Sequence, residues 1–216
     1  MPMPAPFRPV LRTVLLLALL ASSVLAAPPE RTLARGRFLI AARTLIDPNF
    51  GRTVVLLVDY DEKGAMGLII NRPTPVKLAR MLPELKALKQ RQETVYLGGP
   101  VGRESLLLLI RVSRPLDEMR PVCRGVQVSA STKLLERLSK DDKLAEEFRG
   151  YAGYAGWGPG QLDAEVARGD WLILPADAET IFDSDPAEVW DDLLKKTDVR
   201  FAELTRGAAR SAQAGD

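Results

Sequence analysis

The chain has 216 residues, with 30 basic and 28 acidic side chains, one cysteine and no histidine. Without histidine it cannot build a Ser-His-Asp or Cys-His catalytic system or the usual His-rich or multi-cysteine zinc site from its own residues. A lone cysteine excludes an internal disulfide, so packing alone must hold the fold.

The first 26 residues have the layout of a secretory signal. Arg8 and Arg12 precede an apolar run from Val14 to Ala21, and Val24 and Ala26 stand where a signal peptidase reads small residues. The run is shorter than the ~20 residues that span a bilayer. The expectation is cleavage near Ala26, a periplasmic or secreted location, and no stable membrane span afterwards. Removal of Arg8 and Arg12 leaves 28 basic against 28 acidic side chains. A net charge of zero speaks against nucleic acid as a partner. Residues 27–35 read as a linker, 36–200 as one domain, and 201–216 as a small, polar, disordered tail.

Within the domain, Gly36–Arg43 reads as a strand, and Asp47-Pro48-Asn49 supplies turn chemistry. Thr53–Tyr60 is a continuous aliphatic run, which predicts a strand covered on both faces. Asp61–Gly64 reads as a four-residue hairpin loop, and Ala65–Pro73 as the returning strand. The apolar spacing over Pro75–Leu88 predicts a helix interrupted at Pro83. Thr94–Gly102 reads as a strand opening into a glycine loop, and Ser105–Val112 as a buried strand. The stretch PLDEMRPVCRG is irregular, and Cys123 within it reads as a half-buried apolar residue. Gly125–Ser131 is a strand feeding a helix capped by Ser131.

The stretch GYAGYAGWGPGQLDAE, Gly150 to Glu165, is dense in glycine and aromatics. It reads as a sharply bent, packed strand leading into a short helix over Gln161–Asp170, with Pro159 at the helix start. A strand over Trp171–Ala176 follows. A helix over Asp185–Thr197 has Asp185 as its cap. Hairpins mixed with helical crossovers indicate an α+β fold with a mixed sheet.

Three segments, DPNFGRTVVLLVDYDEKGAMGLIINRP, VYLGGPV and GYAGWGPGQLDAEVARGDWL, in this order and spacing resemble the YqgE/AlgH family. The resemblance covers Gly36 to Thr197. It implies a bifurcated sheet curled into a pseudo-barrel with flanking helices. The family has no established activity and no agreed catalytic residues, and some members carry a transcriptional-regulator label. Its pattern begins near the FLIA strand, so the leader is an addition in this chain.

Two readings of the unusual residues follow. In one, the glycines are architectural. In the other, Tyr154, Trp157, Gln161 and Glu165 line a pocket for a small polar ligand, because Gln161 and Glu165 are four apart on one helical face. Asn71 and Arg72 close a buried strand. Asn71 can satisfy backbone groups there, and Arg72 can pair with Asp47 or Asp59 or guide an anionic ligand. The loop LGGPVG could face an anion, but it lacks the lysine and hydroxyl of a phosphate loop. Asp47, Asp59, Asp61 and Glu62 cluster along one hairpin, yet nothing in their spacing enforces a catalytic pair. The expectation is a non-catalytic binding or protein-interaction module, with no cofactor and no metal, whose partner is a protein or a small polar ligand. The rival readings are a transcriptional regulator and a carboxylate- or metal-dependent hydrolase.

Overall fold

β1 (Arg37–Ala41) and β2 (Val54–Asp61) carry apolar side chains at nearly every position, and both faces of their sheet are covered. Phe38, Ile40, Leu56 and Val58 point into one cluster, with Leu109 and Tyr151. Leu39, Ala41, Val55 and Leu57 point into a second, with Trp157, Leu162 and Trp171. A sheet covered on both sides reads as an unbroken aliphatic run rather than an alternating one. The computed structural model describes residues 32–90, 92–116, 119–140 and 147–199. The expected signal segment over 1–26, the start of the linker and the 201–216 tail lie outside the described residues.

The other strands are β3 (Gly64–Ile69), β4 (Pro73–Lys77), β5 (Thr94–Leu97), β6 (Val101–Arg111), β7 (Arg120–Cys123), β8 (Val126–Ser129), β9 (Glu147–Trp157) and β10 (Trp171–Pro175). They form one sheet in the order β10-β1-β2-β3-β9-β6-β8-β7, with β5 pairing both β4 and β9. The helices are α1 (Leu78–Met81), α2 (Thr132–Lys140), α3 (Gln161–Arg168), α4 (Ala178–Phe182) and α5 over 189–199, plus a 3₁₀ turn at Lys86–Gln90. The sheet curls into a half-barrel that brings β7 back against β2. Asp59 and Arg120 bridge these two strands at 2.7 Å.

β9 is where the sheet forks. One of its edges pairs with β6. The other pairs in parallel with β5 through Gly150, Tyr151 and Ala152, then antiparallel with β3 through Ala155, Gly156 and Trp157. The switch falls at Gly153, whose φ is +70°. The β5–β6 loop crosses β9 at this point, and a Cβ on Gly153 would lie 2.7 Å from the Val101 carbonyl oxygen and 2.8 Å from that of Gly99. A Cβ on Gly98 or Gly99 would in turn strike the backbone of Gly153 or Tyr154. The glycines of LGGPVG and GYAGYAG therefore permit one backbone crossing, and two distant motifs have one cause. The loop read as a weak anion site is part of this crossing.

The structure departs from the sequence reading at several elements. The first hairpin is tighter, because Asp61 pairs directly with Gly64 and leaves only Glu62 and Lys63 in the turn. Residues 73–77 are strand β4, not the start of a helix. Pro73 and Pro75 favour extended backbone, and Thr74 Oγ1 donates to the Val95 carbonyl across the pair at 2.7 Å. The irregular stretch holds β7. β6 and β9 each run to 11 residues, beyond their expected starts. α3 begins at Gln161, after Gly160 in a left-handed conformation, so Pro159 lies before the helix. Asp185 heads a turn over 185–188, and α5 starts only at residue 189.

Candidate functional site

The loop over 42–53 between β1 and β2 gathers most of the residues singled out from the sequence. Asp47 Oδ1 accepts from the backbone N–H groups of Asn49 (2.7 Å) and Phe50 (3.0 Å), and its carbonyl accepts from Gly51 at 2.7 Å. This is the local turn that an Asp-Pro-Asn sequence favours. Asn71 holds the loop's far end. Its Oδ1 accepts from Val54 N–H at 2.9 Å and its Nδ2 donates to the Arg52 carbonyl at 3.0 Å.

Arg72 donates to the Gly51 carbonyl at 3.3 Å. Burial lowers its pKa from the ordinary guanidinium value, and the nearby Asp47 charge opposes that shift. Of its two suggested acidic partners, Asp47 acts through space and Asp59 is bound to Arg120. Asp61 caps its own hairpin turn through Lys63 N–H. Asp47, Asp59 and Asp61 thus have separate structural duties.

Arg52 takes a left-handed conformation at φ +57°. Its guanidinium lies 4.1 Å from the ring centroid of Trp190 and donates to Asp191 at 2.7 Å. The Trp190 indole N–H donates to the Ala41 carbonyl at 2.8 Å. The loop is thereby fastened to α5 as well as to Asn71 and Arg72 just past β3.

Phe50 fastens it a third time. Its ring stacks on Trp157 at 6.0 Å and meets Trp171 edge-on at 5.6 Å. Glu165 Oε2 accepts from both indoles, Trp157 at 2.8 Å and Trp171 at 2.9 Å. Gln161 Nε2 donates to Glu165 Oε1 at 3.0 Å, while its own Oε1 accepts from Gly158 N–H at 3.1 Å. Trp157, Gln161 and Glu165 therefore meet in a network closed on itself, with Gln161 and Glu165 on one face of α3 as their four-residue spacing implies. Tyr154 lies elsewhere. It packs against the interior cluster of the curl, whereas Trp157 belongs to the cluster under α3.

Sequence reasoning missed a second constellation. Arg149, on β9, donates to the carbonyls of Ile181 (2.7 Å) and Phe182 at the end of α4. Its guanidinium lies 5.0 Å from the Tyr96 ring and 5.5 Å from the Phe182 ring. Arg111, on β6, lies 5.0 Å from Phe182 and binds the Ala178 carbonyl (3.0 Å) and Asp183 (2.7 Å). That hydrogen bond holds the Asp183 carboxyl below its ordinary pKa. The neighbouring Tyr151 phenol is pushed up by burial. The available signal was an arginine at an inward position of a strand that runs on from it in apolar and small residues only.

Among the described residues, no group of three or more His, Cys, Asp or Glu side chains is placed to hold a metal ion, and no helix is long and apolar enough to cross a membrane. What the main constellation does is hold a loop rigid. At its tip Ile46 is 97% exposed, with Pro48 exposed beside it.

Residues 38–202 match the AlgH-like family, DUF179. A UPF0301 protein of Streptomyces coelicolor is 35% identical over 164 residues, covering 74% of this chain and 85% of that protein. One from Methylococcus capsulatus is 37% identical over 163 residues, covering 74% and 89%. The solution structure of the AlgH protein from Pseudomonas aeruginosa superposes with a TM-score of 0.66 at 32% identity, covering 83% of this chain and 95% of that one. The chain belongs to the AlgH-like, UPF0301 family, and its curled α+β fold is like that of the AlgH protein from Pseudomonas aeruginosa.

Proposed function

We propose that the chain is exported and works as a non-catalytic protein-interaction module, meeting its partner through the loop over 43–52. The observation that carries this reading is Ile46. A fully exposed isoleucine on a backbone fixed by Asn71, Arg72, Arg52 and Phe50 is a pre-organised apolar anchor. Burying such a side chain in a partner contributes about 1.5–3 kcal/mol. Ordering of the loop is complete before contact, so little of that gain is lost to entropy. Export is supported by the leader pattern of Arg8, Arg12 and the Val14–Ala21 run.

The test uses a photo-crosslinking amino acid at position 46 in living cells, with position 188 as an exposed control. One adduct of defined mass at 46 only, weakened at least about tenfold by a neighbouring Pro48→Asp change, is the expected result. Equal labelling at both positions, or none at 46, would sink the contact. N-terminal sequencing of the recovered protein tests export separately, and a chain retaining Arg8 in the cytosol would reject it.

A further inference from the structure

On the far side of α5 from the loop, the end of β10 and one face of α5 enclose an open groove of about 570 Å³. Its walls are apolar, from Leu174, Pro175, Leu193 and Val199. Its volume lies within the range of small-molecule sites, roughly 300–1,000 Å³. Val199 is 58% exposed and stands open to an incoming apolar group.

The charge at the rim is one-sided in its availability. Asp177 already accepts from Thr180 N–H (2.7 Å) and Thr180 Oγ1 (3.0 Å) as the cap of α4. Asp198, outside the groove's lining, faces Arg43 at 3.9 Å with both side chains largely exposed, a contact of little strength. Lys195 is bound to Asp192 at 3.1 Å with both side chains largely exposed, a contact that is also of little strength. Lys196 makes no ion pair among the described residues. Of the groove's own lining, the Asp177 carboxylate is thus engaged, and the ammonium groups of Lys195 and Lys196 are the charges left to meet a ligand.

An extended peptide adding to the β10 edge fits this place poorly, because Pro175 has no N–H to continue a ladder. We propose that the groove binds a single-chain amphiphile with an anionic head, of the acyl carboxylate class. The chain would lie along Leu174, Leu193 and Val199, and the carboxylate would meet Lys196. This surface is separate from the Ile46 loop, so the proposal stands or falls independently of the function proposed above.

Dodecanoate, kept below its micellar concentration, is the probe. Calorimetric titration of the full chain should show one saturable site, and the methyl resonances of Leu174, Leu193 and Val199 should move while that of Ile46 does not. Dodecyltrimethylammonium, with the same tail and a positive head, should bind at least about tenfold more weakly, and neutral dodecyl maltoside should also bind more weakly. Lys196→Glu should weaken dodecanoate about fivefold. Val199→Trp, which fills the groove from an exposed position, should weaken it about tenfold. Unchanged thermal melting of both variants confirms that the fold persists. Absence of saturation, shifts confined to other methyls, equal affinity for the cationic or neutral amphiphile, or indifference to Val199→Trp would each overturn the proposal.

Discussion

A single carboxylate oxygen of Glu165 receives two indole N–H groups, from Trp157 at 2.8 Å and Trp171 at 2.9 Å. Both indoles are almost wholly buried, so neither N–H has water as an alternative partner. Removing the acceptor strands two donors at once. Glu165→Ala is expected to cost about 2–4 kcal/mol, read from urea unfolding. Glu165→Gln keeps one acceptor oxygen and should cost less. Equal losses for the two variants would show that packing, not hydrogen bonding, carries the effect.

Gly153 and Gly160 separate backbone strain from steric clash. Both have φ near +70°, yet a Cβ at Gly160 meets nothing within 4 Å, whereas one at Gly153 meets two carbonyl oxygens. Gly160→Ala should cost only the left-handed penalty, about 1–2 kcal/mol. Gly153→Ala should cost at least about 2 kcal/mol more, or prevent folding. The pair is compared by denaturant midpoint, and equal midpoints would refute the backbone crossing as the reason for the motif.

Arg149 closes one end of the curl by binding two α4 carbonyls and stacking between Tyr96 and Phe182. Its side chain is only 13% exposed. Arg149→Lys should not rescue, because a single ammonium lacks the planar fork that reaches both carbonyls. Both Arg149→Lys and Arg149→Ala should destabilise by about 2–3 kcal/mol. Hydrogen exchange should quicken first at the α4 amides of Ile181 and Asp183. Full stability with lysine would assign the residue to charge alone.

The Cys123 thiol is pushed up to about 11, mainly by burial and further by the Asp177 charge. At pH 8 its thiolate fraction is about a hundredfold below that of a free cysteine, and alkylation by iodoacetamide should be slower by a similar factor until the chain is unfolded. Because the folded value is raised, the favourable contribution is intact below the free-thiol pKa. It is lost as pH rises from about 9 through about 11. Alkylation in the native state at the rate of free cysteine would contradict this burial.

The legible parts of the sequence were those where one periodicity dominated. β1 and β2 are unbroken aliphatic runs and admit no competing pattern. β4 was misread because Val76, Leu78 and Leu82 also fit a helical face, and only pairing with β5 settles the choice. β7 escaped because Pro121 interrupts it, which the terminal strand of a sheet tolerates. At the site, the four-residue spacing of Gln161 and Glu165 carried real proximity. Tyr154 and Trp157 are three apart on a strand, and alternation sends them to opposite faces. Phe50 was not legible at all, since its stacking on Trp157 joins residues over a hundred positions apart and leaves no local trace.

The forked pairing of β9 also sets an order of events in time. β3, β5 and β6 lie within residues 64–111, but the strand that joins them comes only at 147–157. The β2–β3 hairpin can close early, whereas the sheet as a whole has high contact order and cannot assemble until late in synthesis. Nascent chains ending before residue 147 should be degraded by protease, and those carrying β9 through β10 should become resistant. A chain whose sheet cannot close before β9 is made stays threadable up to that point, which is the state a translocation channel for unfolded polypeptides requires.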